Sequence, residues 1–283
     1  MNAARVTHQR SPDIELLLGE LQRCCDLLAS ASAESVLDSQ VREAHDTMAA
    51  ILSVSSRSKQ GKALLRFPGL QALSERLGTV NAAYHRCAEL AKARAYLSQA
   101  NSSADPFENS WLSPGFDRLL RGQVARWRRL GLFARADARP IVIVGGGALP
   151  QSQVFLHRAT GHPVISIEKD AESALVAREV LTRLGYHRNL EVIHADGCHY
   201  DYADALIVVV ATLVAEKANL AETVARTASD TFLNVRSPTG LHRLWRVPFE
   251  TGDLQRGNWS IIDGWTPRAA SVRSTTCAKE SDR

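Results

Sequence analysis

One segment constrains this chain more than any other: the β-branched run Ile141-Val142-Ile143-Val144, which ends in Gly145-Gly146-Gly147-Ala148-Leu149-Pro150. Apolar residues without alternation read as a strand buried on both faces, as in a parallel sheet covered by helices. Glycines directly after such a strand let the backbone turn tightly and let a ligand approach it. Further strand-like runs follow at Pro163 to Ile167, Leu190 to Ala195, Ala205 to Ala211 and Thr231 to Val235, with helical patterns between them such as Ala171 to Leu184. Strands alternating with helices predict an α/β unit with a parallel sheet.

Before Arg139-Pro140 the hydrophobic period is helical. Ser11-Pro12 is a helix start, with a side-chain acceptor and then a proline where its missing N–H costs nothing. Ile14, Leu17, Leu18, Leu21, Cys25 and Leu28 follow at helical spacing. Val41 to Leu52, Leu70 to Leu77, Val80 to Leu97 and Phe116 to Leu132 read as helices, with Phe67-Pro68-Gly69 as a break and Asn101 to Pro114 as a loop. The organisation expected is a helical domain over residues 1–138, a Rossmann-like domain over 139–270 and a frayed polar tail over 271–283.

Composition excludes several classes. The net charge of +4 on 283 residues is modest. The basic stretch Arg118, Arg121, Arg126, Arg128 and Arg129 lacks interleaved aromatics, so it reads as a solvated helix face with no nucleic-acid partner. The five cysteines include no C-x-x-C pair and read as reduced thiols. The start of the chain has no apolar signal core, and no apolar run reaches membrane-spanning length, so a cytoplasmic protein without a membrane partner is expected. The histidine pairs His157/His162 and His194/His199 match no ligand spacing, so no metal site is expected.

Four features converge on the C-terminal ends of the strands, where open α/β sheets bind ligands. In the glycine loop, Pro150 stands where a dinucleotide fingerprint has its third glycine, and it donates no N–H to a pyrophosphate. That favours a ligand without phosphates. Glu168, after the second strand and beside Lys169 and Asp170, can accept from ribose hydroxyls, although Asp170 can instead cap the next helix. Asp196-Gly197 follows the third strand, where an Asp can meet an adenine amino group. Ala211-Thr212-Leu213 closes the fourth strand, where the reactive end of a bound nucleoside would lie.

These residues resemble the nicotianamine synthases, and particularly the bacterial branch that builds opine metallophores. The synthase loop G-S-G-P-L-P is matched by Gly145 to Pro150, its acidic strand end by Glu168-Lys169-Asp170, its third-strand Asp by Asp196, and its A-A-L-V by Ala211-Thr212-Leu213-Val214. The most specific match is Arg-Ser-x-x-Gly at Arg236 to Gly240, followed by Trp245 and Pro248. The plant branch's Phe-Pro-Tyr-Tyr has only Trp111-Leu112-Ser113-Pro114 near its place, without the tyrosines.

The resemblance implies an S-adenosylmethionine site at Gly145, Gly146, Gly147, Leu149, Pro150, Glu168, Lys169, Asp196, Gly197, Ala211, Thr212 and Leu213. It implies transfer of the 3-amino-3-carboxypropyl group to the amine of histidine, L-histidine favoured, with methylthioadenosine released and no metal required. Glu89 is the nearest match to the family's catalytic acid. Arg236 is a candidate for a substrate carboxylate, and His199 for the pocket wall. An opine dehydrogenase is the implied pathway partner, and a homodimer is an allowed assembly. The alternatives left open are a conventional methyltransferase, a nicotinamide-dependent reductase and a non-catalytic adenosine-binding module.

Overall fold

A computed structural model of the chain describes residues 12–280 apart from 33, 100–106, 108–112, 134–137, 187 and 269. The cap expected at Ser11, the pair Trp111-Leu112 and His187 lie outside the described residues.

The first half is helical, as its periodicity requires: α1 (Pro12–Ala29), α2 (Ser39–Leu52), α3 (Lys59–Leu65), α4 (Leu70–Ser98) and α5 (Pro114–Arg129). Leu21, Cys24, Cys25, Leu28, Met48, Leu52, Leu64 and Leu77 close a common core. A large apolar side chain buried this way contributes roughly 1.5–3 kcal/mol. Gly69 stands at the N-terminus of α4, as the Phe67-Pro68-Gly69 break predicts. The two patterns expected over residues 70–97 are one unbroken helix. Thr79 between them returns its hydroxyl to the Glu75 carbonyl one turn back, so it stays inside the helix. Ser113 caps α5 by accepting from Phe116 N–H, and Pro114 takes the first turn. The basic stretch of α5 is largely the exposed face expected, with its charges paired on the surface: Arg121 with Asp117, Arg126 and Arg129 with Asp263, and Arg128 with the Ala159 carbonyl.

The second half carries β1 (Ile141–Val144), α6 (Gln151–Thr160), β2 (Val164–Glu168), α7 (Ala171–Arg183), β3 (Leu190–His194), β4 (Ile207–Val210), α8 (Lys217–Thr227), β5 (Phe232–Pro238), α9 (Thr251–Gln255), β6 (Trp259–Trp265) and β7 (Val272–Lys279). They form one sheet of order β3-β2-β1-β4-β5-β7-β6. The strands β1 to β5 are parallel, while β7 runs antiparallel between β5 and β6. The α/β, Rossmann-like architecture expected from the strand pattern is therefore present. Strand order reverses between β1 and β4, which places a crevice above their C-terminal ends.

The expected frayed tail is corrected. Residues 272–279 form a strand inside the sheet, and Cys277 is fully buried. The polarity that suggested a tail is consumed by a buried network. The Asn234 amide donates to Ser274 Oγ and Thr276 Oγ1 at 2.9 and 3.0 Å, and Trp127 Nε1 donates to Thr276 Oγ1 at 3.2 Å. Buried polar groups satisfied in this way carry little penalty.

Two contacts lock the halves together over the crevice. Leu241, Leu244 and Trp245, which follow β5, join the core of the helical half. Helix α4 lies across α7, where Leu90, Ala93 and Tyr96 pack on Ala148, Leu149, Val176 and Val180. Arg86 of α4 pairs with Asp170 and Glu172 at 3.1 and 2.7 Å, and Arg94 pairs with Glu172.

Candidate functional site

A cleft of about 320 Å³ lies where the crevice meets α4. That is near the lower end for small-molecule sites. Its floor is made by Gly145, Gly147, Glu168, Lys169, Asp196, Gly197, Ala211 and Leu213, and its roof by Ala82, His85, Arg86 and Glu89. Apolar walls come from Val144, Ile167, Ala195 and Leu220. The strand ends expected to meet are thus brought together.

The glycines have distinct tasks. Gly145 and Gly147 have φ of +81° and +69°, a region that costs a residue with a Cβ roughly 1–2 kcal/mol. A Cβ on Gly147 would collide with the Glu89 carboxylate, so the loop is also cut to receive that side chain. Gly146 has a different constraint: its Cβ would come within 2.7 Å of Ser166 Oγ behind the strand. Leu149 and Pro150 support the loop from the core and are not part of the cleft lining. Thr212 likewise acts by its backbone, its carbonyl accepting from the buried Lys217 ammonium at 3.0 Å.

The acids are arranged by backbone donors. Glu168 accepts from the N–H of Gly147 at 2.8 Å and of Asp170 at 2.9 Å, so it clamps the glycine loop while facing the cleft. Asp170 caps α7 through Ser173 N–H. Asp196 accepts from Cys198 N–H at 3.0 Å and pairs with Lys169 at 3.1 Å, which holds its carboxyl below the usual range. Both Glu168 and Asp196 keep oxygen lone pairs for a ligand's hydroxyl or amino donors.

Glu89 reaches this floor from the other half of the chain. Burial is the larger influence on it and pushes its carboxyl up to about 7, helped by the Glu168 charge and opposed by the backbone N–H groups of Leu149 and Ala148. A carboxyl that titrates near neutrality in a cleft can accept a proton at working pH and release it afterwards. The sequence marked Glu89 but not its roof neighbours His85 and Arg86. Their only signal is spacing, since residues one turn apart share a face of α4.

Two expected residues stand elsewhere. His199 is exposed on the outer side of Asp196, 3.8 Å from it, and does not line the cleft. Arg236 is 2% exposed and lies under α5. It donates to Gln123 Oε1 and, at 2.8 Å, to Ser152 Oγ, with its guanidinium over the Phe116 ring. These residues enter the site neither together nor with Glu89. Among the described residues no group of three or more His, Cys, Asp or Glu is placed to hold a metal ion, and no helix is long and apolar enough to cross a membrane.

No protein-family model matches the chain. It is 30% identical over 139 residues to an L-histidine 2-aminobutanoyltransferase of Pseudomonas aeruginosa PAO1, a match covering 48% of this chain and 49% of that enzyme. The chain thus spans about half the length of the curated relatives it matches. Among solved structures it is similar to a Glu-to-Gln variant of MtNAS, a nicotianamine synthase, with a TM-score of 0.76 and 19% identity over 95% of this chain and 98% of that one. It is also similar to MtNAS in complex with MTA and tNA, with a TM-score of 0.74 and 18% identity over 95% and 97% of the two chains. Both likenesses run along nearly the whole length of the two chains, so this chain has the fold of those structures.

Proposed function

We propose that the protein transfers the 3-amino-3-carboxypropyl group of S-adenosylmethionine to the α-amine of L-histidine and releases methylthioadenosine. One observation carries this reading: α4 delivers Glu89, whose carboxyl burial pushes up to about 7, onto the glycine loop of a cleft lined by Glu168 and Asp196. The similarity to an enzyme named for histidine 2-aminobutanoyl transfer supports the choice of acceptor.

The residues fit S-adenosylmethionine. Asp196 and Glu168 offer acceptors to the adenine amino group and ribose hydroxyls between the apolar walls of Val144, Ile167 and Leu220. The sulfonium activates the methionine γ-carbon. The neutral acceptor amine forms the new N–C bond as the C–S bond breaks, the electron pair returns to sulfur, and the surplus amine proton passes to Glu89. The protein's task is alignment of nitrogen, carbon and sulfur, together with proton removal. The product carries an imidazole and two amino acid groups, a metal-chelating set. We place the reaction in the cytoplasm, as one step towards an opine metallophore that a separate opine dehydrogenase completes.

The test is chromatography and mass spectrometry of a reaction containing S-adenosylmethionine and a panel of amino acids including L- and D-histidine. Methylthioadenosine and an N-(3-amino-3-carboxypropyl)histidine are expected. Formation of S-adenosylhomocysteine alone would replace this reading with methyl transfer, and a preference for another amino acid would replace the acceptor.

A further inference from the structure

The described residues contain a small set of buried side-chain nitrogens and oxygens with no hydrogen-bond partner: His45 Nε2, both amide atoms of Asn81, His242 Nδ1, Trp245 Nε1 and Arg246 Nε. All belong to one cluster. His45 stacks on Trp245 with ring centres 5.4 Å apart, and His242 lies 5.4 Å from Trp245. The Arg246 guanidinium sits 4.9 Å over the Trp245 ring and 3.5 Å from His85 Nε2. Asn81 faces the His45 ring, yet neither amide atom completes a hydrogen bond, and its residue exposure is 0%. An unmade bond at a buried polar atom typically costs about 1–3 kcal/mol. A fold that concentrates such atoms in one place leaves them for a polar guest.

The charge of the cluster says what kind. Arg246 has no carboxylate partner among the described residues, and burial pulls its guanidinium down to about 10. Lys217, on which the Arg246 charge acts, is buried too. Its ammonium is held by the carbonyls of Thr212, Val214 and Val247 and is lowered to about 8. His85 and His242 are driven to about 3 and about 4 by burial and by Arg246, so both are neutral at ordinary pH. The acids around the cluster are Asp46, 3.8 Å from His45 but itself exposed, Glu216, whose charge acts on Lys217 from the cleft, and Glu89 at the cleft. Arg246, which pairs with none of them among the described residues, favours an anion of the ligand.

Position supplies the rest. Asn81, His85 and Glu89 are spaced four and four on α4 and so follow one face. His85 lines the cleft, and the Arg246 guanidinium meets its ring at 3.5 Å from outside the lining, with Asn81 one turn earlier on α4. His85 therefore stands between Arg246, 3.5 Å from its Nε2, and Glu89, one turn further along α4. The carboxylate and amine of an α-amino acid share one carbon, so one such ligand reaches both side chains only through a hydrogen bond at each end.

We propose that this cluster is the acceptor site. Arg246 binds the carboxylate of the incoming amino acid, Asn81 supplies a donor and an acceptor to its polar side chain, and Glu89 receives the proton of its amine. The inference rests on the aminobutanoyl-transfer reading and deepens it by assigning specificity to residues of α4 and of the segment after β5. Arg236 and His199 take no part in it.

The experiment compares L-histidine with histamine, which keeps the amine and the imidazole but lacks the carboxylate. Methylthioadenosine release is followed with saturating S-adenosylmethionine. The native protein is expected to prefer L-histidine by roughly 30-fold or more in kcat/KM, the scale of a buried ion pair. Arg246→Gln should reduce that preference to about 3-fold or less while the calorimetric affinity for S-adenosylmethionine stays near the native value. Asn81→Leu should raise both the melting temperature and the KM for L-histidine, a pairing that a satisfied structural asparagine would not give. An Arg246→Gln protein that keeps the native preference, or an Asn81→Leu protein that melts lower with an unchanged KM, would overturn the assignment. No methylthioadenosine from any amino acid with the native protein would instead remove the functional reading, and this assignment with it.

Discussion

Replacing Glu89 by glutamine separates what this carboxyl does for the fold from what it does for the reaction. In the folded protein it titrates at about 7 against an ordinary 4.5. At about 1.36 kcal/mol per pH unit, the difference is worth roughly 3 kcal/mol. The sign follows from which state binds the proton more tightly. The folded protein does, so the contribution to stability is fully present below pH 4.5 and is lost as pH rises through about 7. Glu89→Gln cannot ionise and keeps a carbonyl oxygen to accept from the N–H groups of Ala148 and Leu149. At pH 8 the variant should therefore be more stable than the native protein by up to about 3 kcal/mol, and near pH 4 the two should agree within about 1 kcal/mol. Urea unfolding at several pH values measures this. Activity should move the other way, with turnover falling roughly 10²–10⁴-fold. The native profile of kcat/KM should rise through about pH 7 and the residual activity of the variant should not. The limb seen in kcat should lie lower, because a bound sulfonium beside Glu89 favours its charged form. A variant that retains the native rate, or that shows the same rise near pH 7, would refute the assignment of this carboxyl as the proton acceptor.

Asp196→Ala and Glu168→Ala should each weaken S-adenosylmethionine binding by about 1–3 kcal/mol in calorimetry. Glu168→Ala should lower the melting temperature more than Asp196→Ala, because Glu168 holds the N–H groups of both Gly147 and Asp170 where Asp196 holds only that of Cys198. Gly147→Ala puts a Cβ into the Glu89 carboxylate at a positive φ. It should cut turnover far more than it cuts nucleoside affinity, the reverse of Asp196→Ala. Ending the chain at Ser271 removes β7 from between β5 and β6 and strips partners from Asn234 and Trp127; light scattering and circular dichroism should report an unfolded or aggregated product.

The sheet was legible where its strands are buried on both faces. Ile141 to Val144 and Ile207 to Val210 have no polar residue to mislead, and the acids that follow such strands necessarily gather at one edge. Strand β7 was not legible because Ser274, Thr275 and Thr276 are polar and yet buried. Their partners Asn234 and Trp127 lie about 40 and 150 positions away in the chain, beyond any local pattern. The paired β-branched threonines and Val272 were the one available strand signal. Arg236 was read as a ligand for a carboxylate because of its motif. Its buried partners Gln123 and Ser152 come from two other helices, so its place under α5 could not be read from neighbours in the sequence. On α4 the sequence singles out only Glu89; the face that it shares with Asn81 and His85 follows from helical spacing, but which way that face turns depends on how α4 docks on α7.

That docking explains why a chemistry-bearing acid comes from outside the sheet. The crevice of an open α/β sheet already supplies acceptors for a nucleoside: Glu168 is engaged by the N–H groups of Gly147 and Asp170, and the Cys198 N–H and Lys169 hold the Asp196 carboxyl below its usual range. Asp196 is therefore not suited to take a proton near pH 7. A near-neutral carboxyl needs a drier position and a like charge nearby, and α4 provides both by laying Glu89 over the glycine loop beside Glu168. The same helix cannot do this unless the loop lacks a side chain at Gly147. Its register is set by the packing of Leu90, Ala93 and Tyr96 on Ala148, Leu149, Val176 and Val180, with the pairs from Arg86 and Arg94 to the start of α7 at the edge of that contact. Sheet, glycine loop and helix are thus mutually required. A swap of the helical half for a generic bundle should leave a nucleoside-binding sheet that no longer consumes S-adenosylmethionine, and a hybrid that still turned over would show that the proton acceptor lies within the sheet domain.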